Sequence, residues 1–340
     1  MKLLRLGWSH SSIHCNMTNK VQIISFEEAY RLAHQWPNDI SFGRRFAKFH
    51  TLRYHLETQF VHISAGDDSV LFPIQYGKGI VHAVHKGHTE PLFLGKHHEV
   101  DWQAITRKVR RITRSRLFLG DFALPLEKSK GLIALPLATF VFVIRGRNID
   151  DLFGSYRKTT RNLVRRSQEK GFHIKISSGN FSDDLYHLYE KHQQSLGTPP
   201  KSRDFFDQLA VSFGDGLVAI SIWDGEKPIG LNLVLSEGPA AWLSINSSYV
   251  AYHDSHINYL LYHELLRWAC ANGVKRIDFG GSSTREDNIH NSFKLGFGAE
   301  MIPLYRLIDG SISARFSDWW NRKKRNLQIR RNKLWNSWRN

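Results

Sequence analysis

Residues 277–301 read "IDFGGSSTREDNIHNSFKLGFGAEM". The apolar run Ile277–Phe279 stops at Gly280–Gly281. A polar loop and a short helix-like piece follow. Phe293–Lys294 comes next, and Gly296 and Gly298 then punctuate the approach to another apolar run. A lone lysine thus sits between the end of one strand and the start of the next. Glycines at such corners let backbone approach closely where a side chain would clash.

The elements before this corner have clear periodicities. Residues 216–236 form two strand-like runs around Asp224–Gly225, a hairpin signal. Residues 240–250 read as a third strand. Residues 256–273 read as a helix with Leu260, Leu261, Leu265 and Trp268 on one face, stopped at Asn272–Gly273. Residues 274–281 are the next strand. The first half has the same order. Residues 25–36 suit a helix with Ser25 as cap and Glu27 and Glu28 in its first turn. Residues 60–85 suit strands joined by turns at Gly66–Asp68 and Gly77–Gly79, residues 99–114 a helix, and 116–124 a strand. "FLGDF" and "IDFGG" look like corresponding corners. This repeat predicts two similarly built α/β domains, 17–146 and 147–310, with mixed, largely antiparallel sheets flanked by helices. Residues 1–16 form a flexible N-terminal tail in this reading, and 311–340 a basic Trp-rich helix or tail.

The second domain opens on a basic segment. Residues 150–171 read as one helix, started by Asp150 and Asp151 and stopped by Gly171. Leu152, Phe153, Tyr156, Leu163 and Val164 share one side. Arg157, Lys158, Arg161 and Arg165 share the other, with only Glu169 near. Ion pairing along the helix does not account for that face. It is either solvated or a phosphate site, since guanidinium forks match phosphate oxygens.

Composition narrows the partners. The chain has 340 residues, 41% hydrophobic, with a formal net charge of +16. The excess points to a polyanionic partner: nucleic acid, an anionic membrane, or a phosphorylated substrate. Its two cysteines, Cys15 and Cys270, form no pattern of a disulfide framework or zinc site. This suits a reducing, cytoplasmic setting. No apolar run approaches the ~20 residues that span a bilayer, and the first residues make a poor signal peptide. His82, His85 and His88 alternate across strand faces, so no metal is expected. In the tail, Trp319, Trp320, Trp335 and Trp338 are interleaved with nine basic residues and one acid, Asp318. That pattern suits an anionic membrane interface at its inner face, or tRNA, or a helix docked by its tryptophans.

Taken together, "YRKTTRNLVRRSQEKGF", "GTPPKSRDFF" and the stretch 277–301 resemble the FemAB-like branch of the Gcn5-related N-acetyltransferase (GNAT) superfamily, whose members are often described as BioF2-like acetyltransferase domains. The matching motifs are the basic run Arg161–Arg166, Asp278–Phe279–Gly280, and Phe293–Lys294 to Gly298. The resemblance implies tandem GNAT-like domains and transfer of an acyl or aminoacyl group to an amine. The acceptor would be a small-molecule or lipid-linked anionic group, as in cell-envelope precursors. It implies no tightly bound cofactor, with acyl-CoA or aminoacyl-tRNA as the donor. Departures are also visible: the coiled-coil insertion of some members is absent, as is the R/Q-x-x-G-x-G/A phosphate loop of ordinary acetyl-CoA enzymes. On this resemblance Lys294, Asp278 and Phe293 are the candidate catalytic residues. Lys294 would meet the acyl oxyanion or a donor phosphate, and Asp278 would orient it or take a proton. A plain strand-end ion pair of Asp278 with Lys294, with Phe293 in the core, is the competing reading. Arg157, Lys158, Arg161, Arg165, Gly280 and Gly281 are the candidate substrate-binding residues. The alternative function is a non-catalytic tandem-GNAT module that holds an anionic lipid or RNA.

Overall fold

A computed structural model describes residues 20–33, 39–65, 67–85, 87–95, 100–146, 148–284 and 288–310, together with Trp320 and Lys323. The expected tails at 1–16 and 311–340 lie outside the described residues, those two excepted.

In chain order the elements are β1 Lys20–Ile24, α1 Phe26–Ala33, α2 Arg44–Tyr54, β2 Glu57–Ala65, β3 Asp68–Gly77, β4 Ile80–His82, β5 Leu92–Leu94, α3 Trp102–Ile112, β6 Leu117–Ala123 and β7 Ile133–Val143. There follow α4 Ile149–Ser155, α5 Lys158–Gln168, β8 His173–Ser178, α6 Asp183–Ser195, α7 Arg203–Phe213, β9 Leu217–Asp224, β10 Lys227–Glu237, β11 Ala240–Ser248, α8 Ile257–Ala271, β12 Arg276–Ser283, α9 Ile289–Gly296 and β13 Glu300–Gly310. Local chemistry explains many of the starts. Ser25 and Glu28 form a reciprocal capping box on α1, with Ser25 N–H donating to Glu28 Oε2 at 2.9 Å and Glu28 N–H to Ser25 Oγ at 3.3 Å. Asp101, Asn148 and Ser182 cap α3, α4 and α6 through their side-chain oxygens.

One continuous mixed sheet runs through the described residues in the order β1-β2-β3-β4-β6-β13-β7-β12-β11-β10-β9-β8, with β5 on the side of β3. Read inward from either edge, the strands match. Three antiparallel pairings, β1-β2-β3-β4 and β8-β9-β10-β11, are each followed by a parallel pairing. Those are β4 with β6 across α3, and β11 with β12 across α8. The final strand of each set is then taken from the other half of the chain. β13 closes on β6, and β7 closes on β12, both antiparallel. β7 and β13 also pair with each other. A cut of the chain at 146 is therefore not a cut of the sheet.

Side chains alternate across the strands, so both faces are covered. On β9, Val218 and Ile220 enter a core shared with Leu152, Tyr156 and Val164 of the 149–168 segment and Leu265 of α8. Leu217 and Ala219 enter a second core with Leu188 of α6 and Phe206 of α7. That second core crosses between the halves. Phe49 of α2 meets Phe205 of α7 edge to face at 5.4 Å. Glu237 of β10 accepts the Arg44 and Arg45 backbone N–H groups at 2.9 Å each, where the helix dipole favours a carboxylate.

The single helix expected over 150–171 is two helices. Tyr156 and Arg157 leave helical geometry with ψ of 155° and 145°. The break has a local cause. Arg157 N–H donates to Gly296 O at 2.9 Å instead of to its own helix, and the Tyr156 ring is buried in the core.

Strand exchange makes a prediction. A fragment beginning at residue 147 lacks β7 and leaves the inner edge of β12 bare, an aggregation template. Fragment 147–310 should be insoluble or molten, while the full chain is cooperative. Near-UV circular dichroism and gel filtration of the two check this; a monomeric, rigidly packed 147–310 would contradict the role given to β7.

Candidate active site

The corner at 277–301 lies where the sheet opens. β11 and β12 run parallel but pair only over Ala240–Arg276, Ala241–Ile277 and Trp242–Asp278. Beyond Asp278 no pairing joins them. β12 instead bulges between Asp278 and Gly281 on its other side, against β7. Two parallel strands that part company leave backbone groups free to bind a ligand. α8 begins at the open end, at Ile257, and α9 carries Lys294 to the same corner.

Ile277 and Phe279 pack into the core under α8, so alternation sends Asp278 to the opposite face. There it meets the first half of the chain. His88 Nε2 lies 2.7 Å from Asp278 Oδ2. Thr139 Oγ1 donates to Asp278 Oδ1 at 2.5 Å, and the Gly280 backbone N–H donates to the same oxygen at 2.7 Å. Burial opposes ionisation of this carboxyl, but His88 and these hydrogen bonds outweigh it and hold it at about 2. Burial likewise opposes a charge on His88, and Asp278 reverses that, raising its pKa above 6.5.

Lys294 is 8% exposed and lies over the Phe140 ring, 5.0 Å from its centroid. Its Nζ donates to Gly280 O at 2.7 Å. No other hydrogen-bond acceptor meets it among the described residues. Burial lowers its pKa to about 8, with Asp278 opposing at a distance. The expected strand-end ion pair of Asp278 with Lys294 is therefore not formed. Gly280 stands between them, its N–H on Asp278 and its carbonyl on Lys294.

The glycines act differently from the expectation. Gly280 has φ +77°, which strains any side-chain-bearing residue. A Cβ there would find its nearest atom, Leu243 O, at 3.8 Å, and at Gly281 Ala138 O at 3.5 Å. Turn geometry at 280, and not close approach, is the requirement. The close approach lies at Gly296, where a Cβ would sit 2.5 Å from Thr160 Oγ1 and force α9 off α5.

Phe293 meets Tyr259 and Tyr262 at 4.8 Å and Phe297 at 5.4 Å, all edge to face. These contacts anchor α9 and place its next residue, Lys294. The four basic residues also separate. Arg161 donates to Gly154 O at 2.8 Å and Tyr156 O at 2.5 Å, capping the end of α4. Arg165 lies 5.2 Å from the centre of the Phe153 ring. Arg157 and Lys158 are exposed, with no side-chain partner among the described residues. They stand at the start of α5, tied by Arg157 N–H to Gly296 at the end of α9. Of the four, Arg157 and Lys158 are thus the two whose side chains no partner engages among the described residues.

His88 and Thr139 were not expected at the site. His88 is far from Asp278 in the chain, and only the strand exchange brings β7 and the segment after β4 to β12. Among the described residues no group of His, Cys, Asp and Glu could hold a metal ion, and no helix is long and apolar enough to cross a membrane.

An antiparallel run, a parallel crossover through a helix, and a strand pair that opens beside that helix define the fold of the GNAT acyltransferases. Residues 154–291 match the family model of the Acetyltransferase (GNAT) domain. Among solved structures, FemX superposes with a TM-score of 0.59 at 12% identity, over 84% of this chain and 96% of that one. The C-terminal domain of a protein assigned as a lysylphosphatidylglycerol synthetase, from Agrobacterium fabrum, superposes with a TM-score of 0.52 at 13% identity, over 86% and 95%. No curated protein matches the sequence. The chain has the GNAT fold, and the likeness read from the motifs holds at the level of fold.

The His88–Asp278 pair sets a pH window for stability. The raised His88 contributes fully below 6.5 and loses its contribution as pH rises through its folded value. The lowered Asp278 contributes fully above 3.8 and loses it as pH falls through about 2. Thermal melts should therefore show greatest benefit from the pair between 3.8 and 6.5, and His88→Gln should lose most stability inside that window. A uniform loss at every pH would show the pair not to be ionic.

Proposed function

We propose that the chain is an N-acyltransferase that moves an acyl or aminoacyl group to the amine of an anionic, phosphate-bearing acceptor of the cell envelope. The observation that carries this reading is Lys294: a buried ammonium beside the open strand pair, with one of its three N–H groups engaged among the described residues. Attack of an amine on an acyl carbonyl builds negative charge on the acyl oxygen. A fixed donor in a water-poor site stabilises that charge in the transition state more than in the ground state.

The other residues fall into supporting roles. Asp278, held at about 2, is too weak a base to take a proton from the amine near neutrality, so the proton leaves by another group or by water. Asp278 fixes the Gly280 turn on which Lys294 rests. Arg157 and Lys158 supply free positive charge on the neighbouring surface for a phosphate. The opening between β11 and β12 would receive the acyl donor, and the donor supplies the activated carbonyl. The turn before α8 reads 249-YVAYHDSH-256 and lacks the glycine-rich phosphate loop, so coenzyme A would be held without that cradle. Two superposing structures, FemX and a lysylphosphatidylglycerol synthetase domain, support the acyl or aminoacyl class of donor and the envelope class of acceptor.

Lys294 must be charged and the acceptor amine neutral, so the rate should be bell-shaped, with its alkaline limb near 8. A rate that instead climbs through that value would make Lys294 a base. Lys294→Ala should lower kcat on the order of one hundredfold, the usual cost of one oxyanion donor, with KM little changed. Lys294→Arg should rescue in part, since the guanidinium is larger and differently aimed. Single-turnover assays with acyl-CoA and aminoacyl-tRNA as separate arms check this. Binding of either without turnover would favour the non-catalytic module.

Charge reversal at Arg157 should raise KM for a phosphate-bearing acceptor about tenfold and flatten its salt dependence, leaving kcat unchanged. The same substitution at Arg161 should mainly lower stability, because Arg161 caps α4. Steady-state kinetics at two ionic strengths, with melting curves, separate the two.

A further inference from the structure

The first half of the chain does more than complete the sheet. His88 is set rigidly by that half. The adjacent Thr89 bridges to Phe122 of β6, its N–H donating to Asp121 O at 3.1 Å and its carbonyl accepting Ala123 N–H at 2.9 Å. Thr89 Oγ1 lies 2.7 Å from Ser41 Oγ, and Glu90 N–H donates to Asp39 Oδ2 at 2.6 Å. Thr89 and Glu90 are thus pinned, which fixes the backbone from which the His88 imidazole reaches Asp278.

From this fixed point an unbroken chain of contacts reaches Lys294. His88 holds one oxygen of Asp278 at 2.7 Å; the other oxygen accepts Thr139 and the Gly280 N–H; the Gly280 carbonyl accepts Lys294 Nζ at 2.7 Å. The link in the middle is a glycine at φ +77°, the residue with the greatest backbone freedom at this corner. Beyond it β12 has no partner on the β11 side to hold it. Fastening its N–H to an immobile carboxylate is what keeps its carbonyl aimed at the lysine. We infer that His88 is a positioning residue for Lys294, through which the first half of the chain sets the reactive geometry of the GNAT domain.

The surroundings of His88 raise its pKa and so favour its charged form. Asp278 and Asp39 favour its protonation; Arg276, itself paired with Glu90, and burial oppose it. Asp39, His88, Glu90, Thr139, Arg276 and Asp278 line one small cavity of about 30 Å³ between the halves, room for about one water. A neutral substitute leaves Asp278 buried without its cation. The carboxylate then turns toward that cavity or takes a proton, and in either case releases the Gly280 N–H.

Lys294 titration is the direct readout. This inference rests on the proposed acyl transfer for its meaning, yet its test needs no substrate. Competitive acetic anhydride labelling across a pH series, read by peptide mass spectrometry, yields the Lys294 midpoint in the full-length protein. In the parent it should lie near 8. In His88→Gln, Lys294 stays buried but loses its fixed acceptor and part of the attraction of Asp278, so the midpoint should move down by about half a unit or more. Thr139→Val removes a second hold on Asp278 while keeping its shape, and should shift the midpoint in the same direction by less. It also serves should His88→Gln fail to fold. An unchanged midpoint in a folded His88→Gln overturns the inference; if that variant does not fold, an unchanged midpoint in Thr139→Val does so. Where turnover is measurable, His88→Gln should lower kcat and leave KM unaltered. No turnover in the parent with a shifted midpoint would sink the acyltransferase reading and leave the coupling standing.

Discussion

The antiparallel pairing of β7 with β13 is the contact on which the rest of the molecule depends. It lies at the centre of the sheet, and each of its strands also closes the far half of the chain. Neither half can complete its set of strands from its own residues. The consequence is cooperative. Backbone hydrogen bonds that would otherwise end at two bare edges are joined into one ladder, and the folding of each half requires the other. The exchange also places Thr139 of β7 beside β12 and draws the His88 segment toward Asp278. A structural economy in the sheet thereby decides which residues meet at the 277–301 corner.

That corner works by a failure of pairing that the exchange makes tolerable. β12 leaves β11 after Asp278, which would normally cost backbone hydrogen bonds on a central strand. β7 holds the other edge of β12 through Ser283, bulge included. The opening is thus supported from one side only. Helix α9 covers the exit, fixed by the Phe293–Tyr259–Tyr262–Phe297 aromatic group, each pair worth about 0.5–1.5 kcal/mol beyond its buried area. Gly296 allows α9 to lie against Thr160 of α5, and this brings the free charges of Arg157 and Lys158 to the same neighbourhood.

The repeat of strands and helices was legible because it is local. Asp224–Gly225, the Asn272–Gly273 stop and the Ser25 cap each state a boundary within a few residues. The stretch 277–301 likewise announced a strand end, a helix and a lysine at the right places. Other features are set by contacts distant in the chain, and no local pattern carries them. Helix α2 was missed because its mean character is polar, and its burial comes from α7 and Glu237. The break at Tyr156 follows from a hydrogen bond to Gly296. Arg161 and Arg165 looked like their neighbours on a helical wheel, yet a carbonyl cap and an aromatic ring engage them. His88 was visible only as one of three alternating histidines, and its partner lies in the other half.

The placement of Asp278 and Lys294 on either side of Gly280 suits the role proposed for the ammonium. Two unit charges in direct contact at about 4 Å attract by about 4 kcal/mol at an effective dielectric of 20, enough to raise a lysine by about three pKa units. Such a pair would be stable and inert: its lysine would be fully charged, but its N–H groups would be occupied and its field cancelled. Here burial prevails and Lys294 falls to about 8. It stays mostly charged near neutrality while its charge is only weakly compensated. The neutral carbonyl of Gly280 anchors it without cancelling it. The anionic partner is given to His88 instead, on the opposite face, where the charge can be neutralised without reaching the site. Separation by one peptide unit keeps the carboxylate's mechanical hold on the turn and weakens its charge at the lysine, as the proposed oxyanion role of Lys294 requires.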